Sequence, residues 1–235
     1  MQNINVKAVL IGEMFDFGRL QSDAAFNSLT NAVSWSPATN PALLSLAPAQ
    51  TGTLLFHIPV KNAFPIKLLS DKNYTLKVQA QAESPTVPPN TAAEKTISVA
   101  NLENKVAGRV DFKAEAYWRD AASGILNSGP YPPGVNQPTQ YTIHWRVVNY
   151  ATDVSNLVIS AYLGFGGRFT GRVKSTIGSV PSYDSNSGLI SWNIGSVPAT
   201  KGVISAPLEA IFQIEATPAV NQVGQNIVLL GESRA

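Results

Sequence analysis

The sequence predicts an all-β fold in which two β-sandwich domains with Greek-key connections follow one another. Short runs that alternate apolar and polar residues recur along the chain, as is typical of half-buried strands. Between these runs lie 16 prolines and 17 glycines, which favour turns and end strands. A motif centred on a tryptophan occurs twice, so we divide the chain into residues 1–106 and residues 107–235. The spacing of the strands favours sandwiches over a closed barrel.

Composition and charge exclude several classes of protein. The chain of 235 residues is 44% hydrophobic and 14% charged, which is ordinary for a globular protein of one or two domains. The formal net charge is +2 without a cluster of lysine and arginine, so nothing favours nucleic acid as a partner. No apolar run approaches the ~20 residues that span a bilayer, and we expect no membrane insertion by this segment. The absence of cysteine excludes disulfides, thiolate catalysis and cysteine-ligated metals.

The repeated motif is clearest at residues 183–199. A polar turn precedes a strand in which Ile190, Trp192 and Ile194 share one face. A weaker copy ends at Trp35, and further matches keep the same order along the chain. The matched pairs are residues 4–10 with 157–163, 18–20 with 171–173, 48–52 with 198–202, 56–58 with 212–214, and 73–78 with 226–230. Duplication of one unit is the simplest explanation.

The two units differ at their ends. Residues 108–155 lead into the second unit and match nothing in the first. Residues 85–106 follow the last matched strand of the first unit and match nothing in the second. We therefore expect the first unit to be incomplete at its N-terminus and the second at its C-terminus, with unpaired sheet edges.

The first unit contains several predicted strands. Residues 4–10 alternate with the even-numbered residues inward, and residues 54–60 form another inward row of even-numbered residues. The clearest alternation covers residues 74–83. Residues 95–100 also have a strand-like pattern, and residues 101–108 are the predicted boundary between the units.

The second unit opens with an alternating run at residues 110–118, followed by a proline-rich loop at residues 127–134. In residues 141–147 the odd-numbered side chains are apolar, whereas His144 and Arg146 lie on a face predicted to be wet. The remaining predicted strands are residues 157–163, 190–194 and 208–214. We expect five large side chains to form the structural core of the two units, and these are Trp35, Phe56, Trp145, Trp192 and Phe212.

Six stretches together resemble the immunoglobulin-like repeat modules of large bacterial and archaeal cell-surface proteins. These stretches are residues 138–149, 183–188, 190–195, 198–199, 212–214 and 222–224. The resemblance implies immunoglobulin-like β-sandwiches in a secreted or wall-associated array that serves as a stalk, filament or adhesive layer. That family has no common catalytic residues to carry over. In such arrays a further strand is expected after residues 231–235.

The sequence predicts neither a catalytic site, a metal site nor a cofactor. His57 and His144 are the only histidines, and both lie on predicted polar faces in different units, which disfavours a metal pair or a triad base. The segment around Asp184 has the residue types of a calcium loop, but also those of a hairpin turn, and the turn is favoured. A lysine–asparagine isopeptide bond is disfavoured because Lys113 and Glu215 lie on predicted polar faces.

Four tyrosines on polar faces or loops leave two interpretations open. They are Tyr117, Tyr131, Tyr150 and Tyr162. They form either a platform for sugar stacking or module contacts, or scattered exposed residues, and the second interpretation is favoured.

These observations lead to a functional hypothesis without an enzyme. We expect a structural, non-catalytic subunit or segment of an extracellular or cell-surface array or filament, assembled head to tail through its β-sandwich modules. The expected partners are neighbouring copies or adjacent repeat modules. The alternative is an adhesin or carbohydrate-binding surface module with surface glycans as its partners.

Overall fold

The computed structural model describes residues 1–235 and contains 14 β-strands. The strands of the first half are β1 (Asn5–Ile11), β2 (Gln21–Ser22), β3 (Ala25–Asn27), β4 (Ala32–Trp35), β5 (Phe56–His57), β6 (Thr75–Ser84) and β7 (Thr96–Lys105). Those of the second half are β8 (Val110–Tyr117), β9 (Thr139–Asn149), β10 (Val154–Tyr162), β11 (Gly167–Ser175), β12 (Ser182–Asp184), β13 (Leu189–Val197) and β14 (Leu208–Ala216). The fold is all-β, as the alternating pattern predicted.

Helical structure is limited to four short 3-10 turns. They span Phe17–Arg19, Pro41–Leu43, Ala121–Ser123 and Val220–Gln222. None of them has the length and apolar character needed to cross a lipid bilayer.

The chain divides into two compact units. The first comprises residues 1–65 and 73–107, and the second comprises residues 66–72 and 108–235. This differs from the predicted division chiefly at residues 66–72, which belong to the second unit. One contact that holds this segment there is the ion pair of Lys72 Nζ with Asp153 Oδ2, 3.1 Å apart.

The first unit has one large sheet and one small one. The large sheet has the strand order β3-β4-β1-β6-β7, and the small sheet contains only β2 and β5. The inner face of the large sheet carries Ala8, Leu10, Val33 and Trp35, which form a core cluster with Phe15. Loops and the small sheet cover this face over β4 and β1.

The small sheet is much shorter than the sequence predicted. Of the inward row at residues 54–60, only Phe56 and His57 form a strand. Phe56 is half-buried, with its ring centroid 6.2 Å from that of Trp35. It lies at the margin of the core because β5 pairs with β2 alone, through two residue pairs. The division between the units at residues 107 and 108 falls within the predicted boundary at residues 101–108, although β7 extends into that range as far as Lys105.

The second unit is a two-layer sandwich. Its sheets have the orders β10-β13-β12 and β11-β14-β9-β8. Trp145, Trp192 and Phe212 are fully buried between them, each with 0% exposure. The rings of Trp145 and Phe212 meet edge to face, with centroids 4.8 Å apart.

The C-terminal segment, residues 226–235, runs antiparallel along β10. Single bridges join Ser160 to Arg234 and Leu163 to Leu230. The side chains of Leu229 and Leu230 pack against the core. The segment therefore occupies the edge of the sheet beside β10.

The large sheet of the first unit and the three-stranded sheet of the second unit share a strand order. In the first unit β3, β4, β1 and β6 are neighbours in that order, and in the second β12, β13, β10 and the C-terminal segment are. Val6 faces Trp35 across the first sheet, and Ile159 faces Trp192 across the second. Strands β8 and β9 have no counterpart in the first unit, and β7 has none in the second.

We expect the replacement Trp192→Ala to lower the free energy of unfolding of the second unit by about 3–5 kcal/mol, because it removes a fully buried indole from a packed core. Urea denaturation followed by circular dichroism measures this change. Tyr162→Ala is the matched control, since this aromatic side chain is 59% exposed, and its effect should stay below about 0.5 kcal/mol. Equal transition midpoints for Trp192→Ala and the parent would contradict the assigned core.

Candidate functional site

A buried charged cluster lies on the outer face of β9 and β14. His144 Nε2 is 2.7 Å from Asp120 Oδ2, and His144 Nδ1 is 2.8 Å from Glu209 Oε1. Arg146 donates from Nε to the same Glu209 oxygen at 2.7 Å. The prediction of an exposed His144 was wrong, because this residue is only 6% exposed.

The segment between β8 and β9 explains this burial. It folds back over the polar face of β9, so Thr142 is fully buried as well. Asp120 caps the turn Ala121–Ser123 by accepting a hydrogen bond from the Ser123 backbone N–H. Asn127 Nδ2 donates to the carbonyl oxygens of Tyr117 and Trp118, which pins the segment to the end of β8. A strand predicted to be wet on one side is therefore covered on both.

An amide network continues the polar layer. Gln213 of β14 is 1% exposed, and its Nε2 donates to Asn127 Oδ1 at 2.8 Å and to the Leu126 carbonyl at 3.0 Å. The burial of Gln213 was not predicted, since a glutamine in an alternating strand normally marks the wet face. Nothing in the local pattern signals that a distant loop covers it.

The carboxylates of the cluster are stabilised in their charged forms. Burial by itself raises the pKa of Asp120 and is the largest single influence, but hydrogen bonds from His144, Ser123 and Thr142 outweigh it and lower the pKa to about 2. Burial also raises the pKa of Glu209, but hydrogen bonds from His144 and Arg146 outweigh this effect and lower the pKa below its ordinary value. Both acids therefore carry charge at neutral pH.

This geometry favours a structural role for the cluster. A catalytic histidine needs one ring nitrogen free to accept a proton from a nucleophile or water. Both nitrogens of His144 instead face carboxylate oxygens. His144 lies between Asp120 and Glu209 and pairs with both. These three side chains do not have the arrangement of metal ligands, and no other group of histidine and acidic side chains has it either.

The other candidate residues lie apart from this cluster. Asp184 accepts hydrogen bonds from the Asn186 backbone N–H at 3.0 Å and from Ser187 Oγ at 2.6 Å, which is the geometry of a turn. Lys113 pairs with the neighbouring Glu115, whereas Glu215 pairs with Arg168 on another strand. His57 is exposed.

The four tyrosines each have different neighbours. The Tyr117 ring contacts His144, Tyr131 stacks on Trp118, and Tyr150 donates its hydroxyl to Asp111. Tyr162 is 59% exposed on β10. This arrangement does not form a shared platform for a sugar ring.

Strand β7 is the second notable feature, as an edge strand with an unusual exposure. It pairs with β6 over ten residues, and no strand lies on its other edge. Nine of its ten residues are exposed, including Ile97, Val99 and Leu102 at 48%, 59% and 57%. Natural edge strands are usually short, covered, or interrupted by proline or inward charges, because open edges template association. We call the free edge of β7 the donor edge.

We expect the buried charged cluster of His144, Asp120, Glu209 and Arg146 to make the stability of the second unit depend on pH. Because the folded-state pKa of Asp120 is depressed to about 2, the stabilisation is present above its unfolded value near 3.9 and is lost as the pH falls toward 2. The contribution is about 2 kcal/mol, so Asp120→Asn should lose about that much at pH 7. Urea denaturation between pH 2 and pH 7 measures it.

The control for this measurement is Glu94→Gln, which removes an exposed acid from the loop before β7. It should leave the pH profile close to that of the parent. If the profiles of Asp120→Asn and the parent run parallel, the buried acid does not carry the pH dependence.

Comparison with known proteins gives matches only among solved structures. No protein-family model matches the chain, and no curated protein matches it. The chain is similar to the C-terminal domain of the Streptococcus pyogenes antigen I/II-family protein AspA, at 12% identity, covering 92% of this chain and 77% of that one, with a TM-score of 0.33. It is also similar to the C-terminal domain of the Streptococcus agalactiae AgI/II polypeptide BspA, at 10% identity, covering 92% and 76%, with a TM-score of 0.33.

Proposed function

We propose that this chain is a non-catalytic structural segment of an extracellular surface array or filament, joined to its neighbours head to tail through strand edges. The observation that carries the proposal is the donor edge of β7. Its ten residues pair on one side only. Both of its faces are exposed along the same length.

The chemistry of such an edge favours partner strands. Along an edge strand, alternate backbone N–H and C=O groups point outward without a protein partner. A strand from a neighbouring molecule satisfies them by continuing the ladder, and exposed apolar side chains add burial. Ile97, Val99 and Leu102 supply such side chains. The edge therefore has both parts of a strand-addition interface.

The strand correspondences support an open-ended assembly. The strand order shared by the large sheet of the first unit and the three-stranded sheet of the second supports the interpretation that both units are versions of one unit. Among the described strands, β8 and β9 have no counterpart in the first unit and β7 has none in the second, so the two units present different edges. Contacts between two different, complementary ends are heterologous, and such contacts extend into a fibre unless their rotation closes a ring.

Two further observations support a structural role. His144 has both ring nitrogens engaged by carboxylates, which leaves it poorly suited to acid–base catalysis. The segment around Asp184 is folded as a turn held by its own hydrogen bonds. The resemblance of the six stretches between residues 138 and 224 to surface modules supports placing the chain at the cell surface. We do not favour the glycan-binding alternative, because the four tyrosines have separate neighbours.

We expect the purified chain to associate as its concentration rises, and Val99→Lys to weaken that association. A lysine on the exposed donor edge adds repulsion and a hydration cost to strand addition, without removing a buried contact. Sedimentation velocity over a range of concentrations measures the change. Val180→Lys is the matched control, because Val180 is 45% exposed outside any strand. A chain that sediments as a monomer at all concentrations would refute the proposal.

A further inference from the structure

The second unit has a largely apolar hollow at one edge of its sandwich. The hollow has a volume of about 420 Å³, and it is lined by residues 114–116 of β8, Ile143 of β9, and residues 227–231 and Ser233 of the C-terminal segment. Ala114 and Ala116 project from the inner face of β8, since they pair with Trp145 and Ile143 of the core-facing row. They are nevertheless exposed. We call this hollow, together with the free edge of residues 227–235, the acceptor edge.

The cause of this exposure is the width of the opposite sheet. The sheet that faces β8 ends with the C-terminal segment, which pairs with β10 on one side and with no strand on the other. One more strand on that free side would extend the sheet over Ala114 and Ala116. The hollow therefore has the position of a missing edge strand.

Strand β7 of the first unit is an edge strand that extends beyond the layer opposite it. Its residues Ala100 and Leu102 face the same side as Ala80 and Val78, the core-facing row of β6. Both are exposed, because no second layer lies beneath this edge of the large sheet. The first unit thus has an edge strand whose inward apolar side chains, Ala100 and Leu102, are exposed. The second unit has an edge strand, β8, whose inward alanines are exposed.

The chain itself shows which strand fits beside the C-terminal segment. In the first unit β6 lies beside β1, and β7 lies on the outer side of β6. In the second unit the C-terminal segment lies beside β10 in the place of β6, and its outer side is vacant. The strand that fits this vacancy is therefore one with the pattern of β7.

We propose that β7 of one copy pairs with residues 227–235 of a second copy and covers its hollow. The proposal rests on the head-to-tail assembly inferred above and specifies its interface. The donor edge continues the sheet of the second copy, and Ala100 and Leu102 come to lie over Ala114 and Ala116. Each copy has one donor edge and one acceptor edge, so every added copy presents a fresh edge of each kind.

The register follows from the paired residues of the first unit. There Val78 lies beside Leu10 on one side and beside Leu102 on the other. In the second unit Leu230 lies beside Leu163, which corresponds to Leu10 in the aligned repeat. Leu102 of the donor copy therefore faces Leu230 of the acceptor copy.

The chemistry of the two faces matches as well. The inner row of β7 consists of uncharged residues, namely Thr96, Ser98, Ala100, Leu102 and Asn104. The charged residues of this strand, Glu103 and Lys105, lie on the opposite face, where Glu103 pairs with Lys77 at 3.0 Å. The inner row of the donor strand therefore adds no charged side chain to the hollow, so the strand itself brings no ion that would have to be desolvated. Symmetric pairing of two β7 strands would leave the hollow uncovered.

Disulfide trapping between two variants tests the pairing, and the chain has no cysteine to interfere. Facing residues of antiparallel strands have Cα atoms about 4.5–5.5 Å apart, within the range of roughly 4.4–6.8 Å that a disulfide spans. Leu102→Cys and a tagged Leu230→Cys are mixed and oxidised. We expect a mixed dimer to be the dominant crosslinked species, at least tenfold above that from Ile97→Cys mixed with Leu230→Cys. Ile97 is the matched control because it lies on the other face of β7.

The alternative outcomes separate this inference from the proposed function. If Leu102→Cys crosslinks mainly to itself, symmetric pairing of β7 is present and the inference is wrong. If the chain associates and Val99→Lys weakens association, but no mixed dimer forms, the assembly stands and this interface fails. A chain that never associates overturns both.

A second pair of variants protects the test against damage from Leu230→Cys, since Leu230 packs on the core. Ala116→Arg places a charge in the hollow from an exposed position, and Lys113→Arg on the opposite face of β8 is its control. Circular dichroism checks that both fold. We expect sedimentation to show at least tenfold weaker association for Ala116→Arg alone. Equal association of the two variants would overturn the inference.

Discussion

The edge-to-face contact of Trp145 with Phe212 is the interaction on which the sandwich of the second unit depends. Trp145 comes from β9 and Phe212 from β14, and both face Trp192 in the opposite sheet. Because β9 pairs with β14 along nine residues, the two rings are held in one place, and β8 is attached through β9. The first unit has no strand in the position of β9. Its small sheet is reduced to two short strands, and Phe56 is left at the margin of the core.

Much of this architecture could be predicted from period-two alternation, because a half-buried strand reports its buried face directly in the sequence. The positions of Trp35 and Trp192 on corresponding strands follow from that signal. The burial of His144 and Gln213 could not be predicted, because it depends on a loop that returns from β8 over the polar side of β9. The row at residues 54–60 forms only a short strand for the opposite reason: its only partner strand is β2, which pairs with it through two residues. Alternation describes a side chain's environment only when the neighbouring strand and layer are present.

The two faces of β9 are buried by different physical means. One face is packed by aromatic and aliphatic side chains, whereas the other carries His144 and Arg146 between Asp120 and Glu209. Buried ions contribute little net stability when an apolar substitute is possible, but removal of one partner leaves an uncompensated charge. The cluster thus ties the covering loop to the sheet through interactions that only one loop position satisfies. The amide contacts of Gln213 and Asn127 reinforce the same position.

This two-sided character of β9 also limits how the chain can misfold. A slip of one residue in strand pairing exchanges the two faces of a strand. In β9 it would drive His144 into the aromatic core and turn Trp145 toward two carboxylates, so a slipped alignment is penalised on both sides at once. The longest strand in the molecule, which would otherwise be prone to mispairing with equally apolar neighbours, is thereby confined to a single alignment while the sandwich forms.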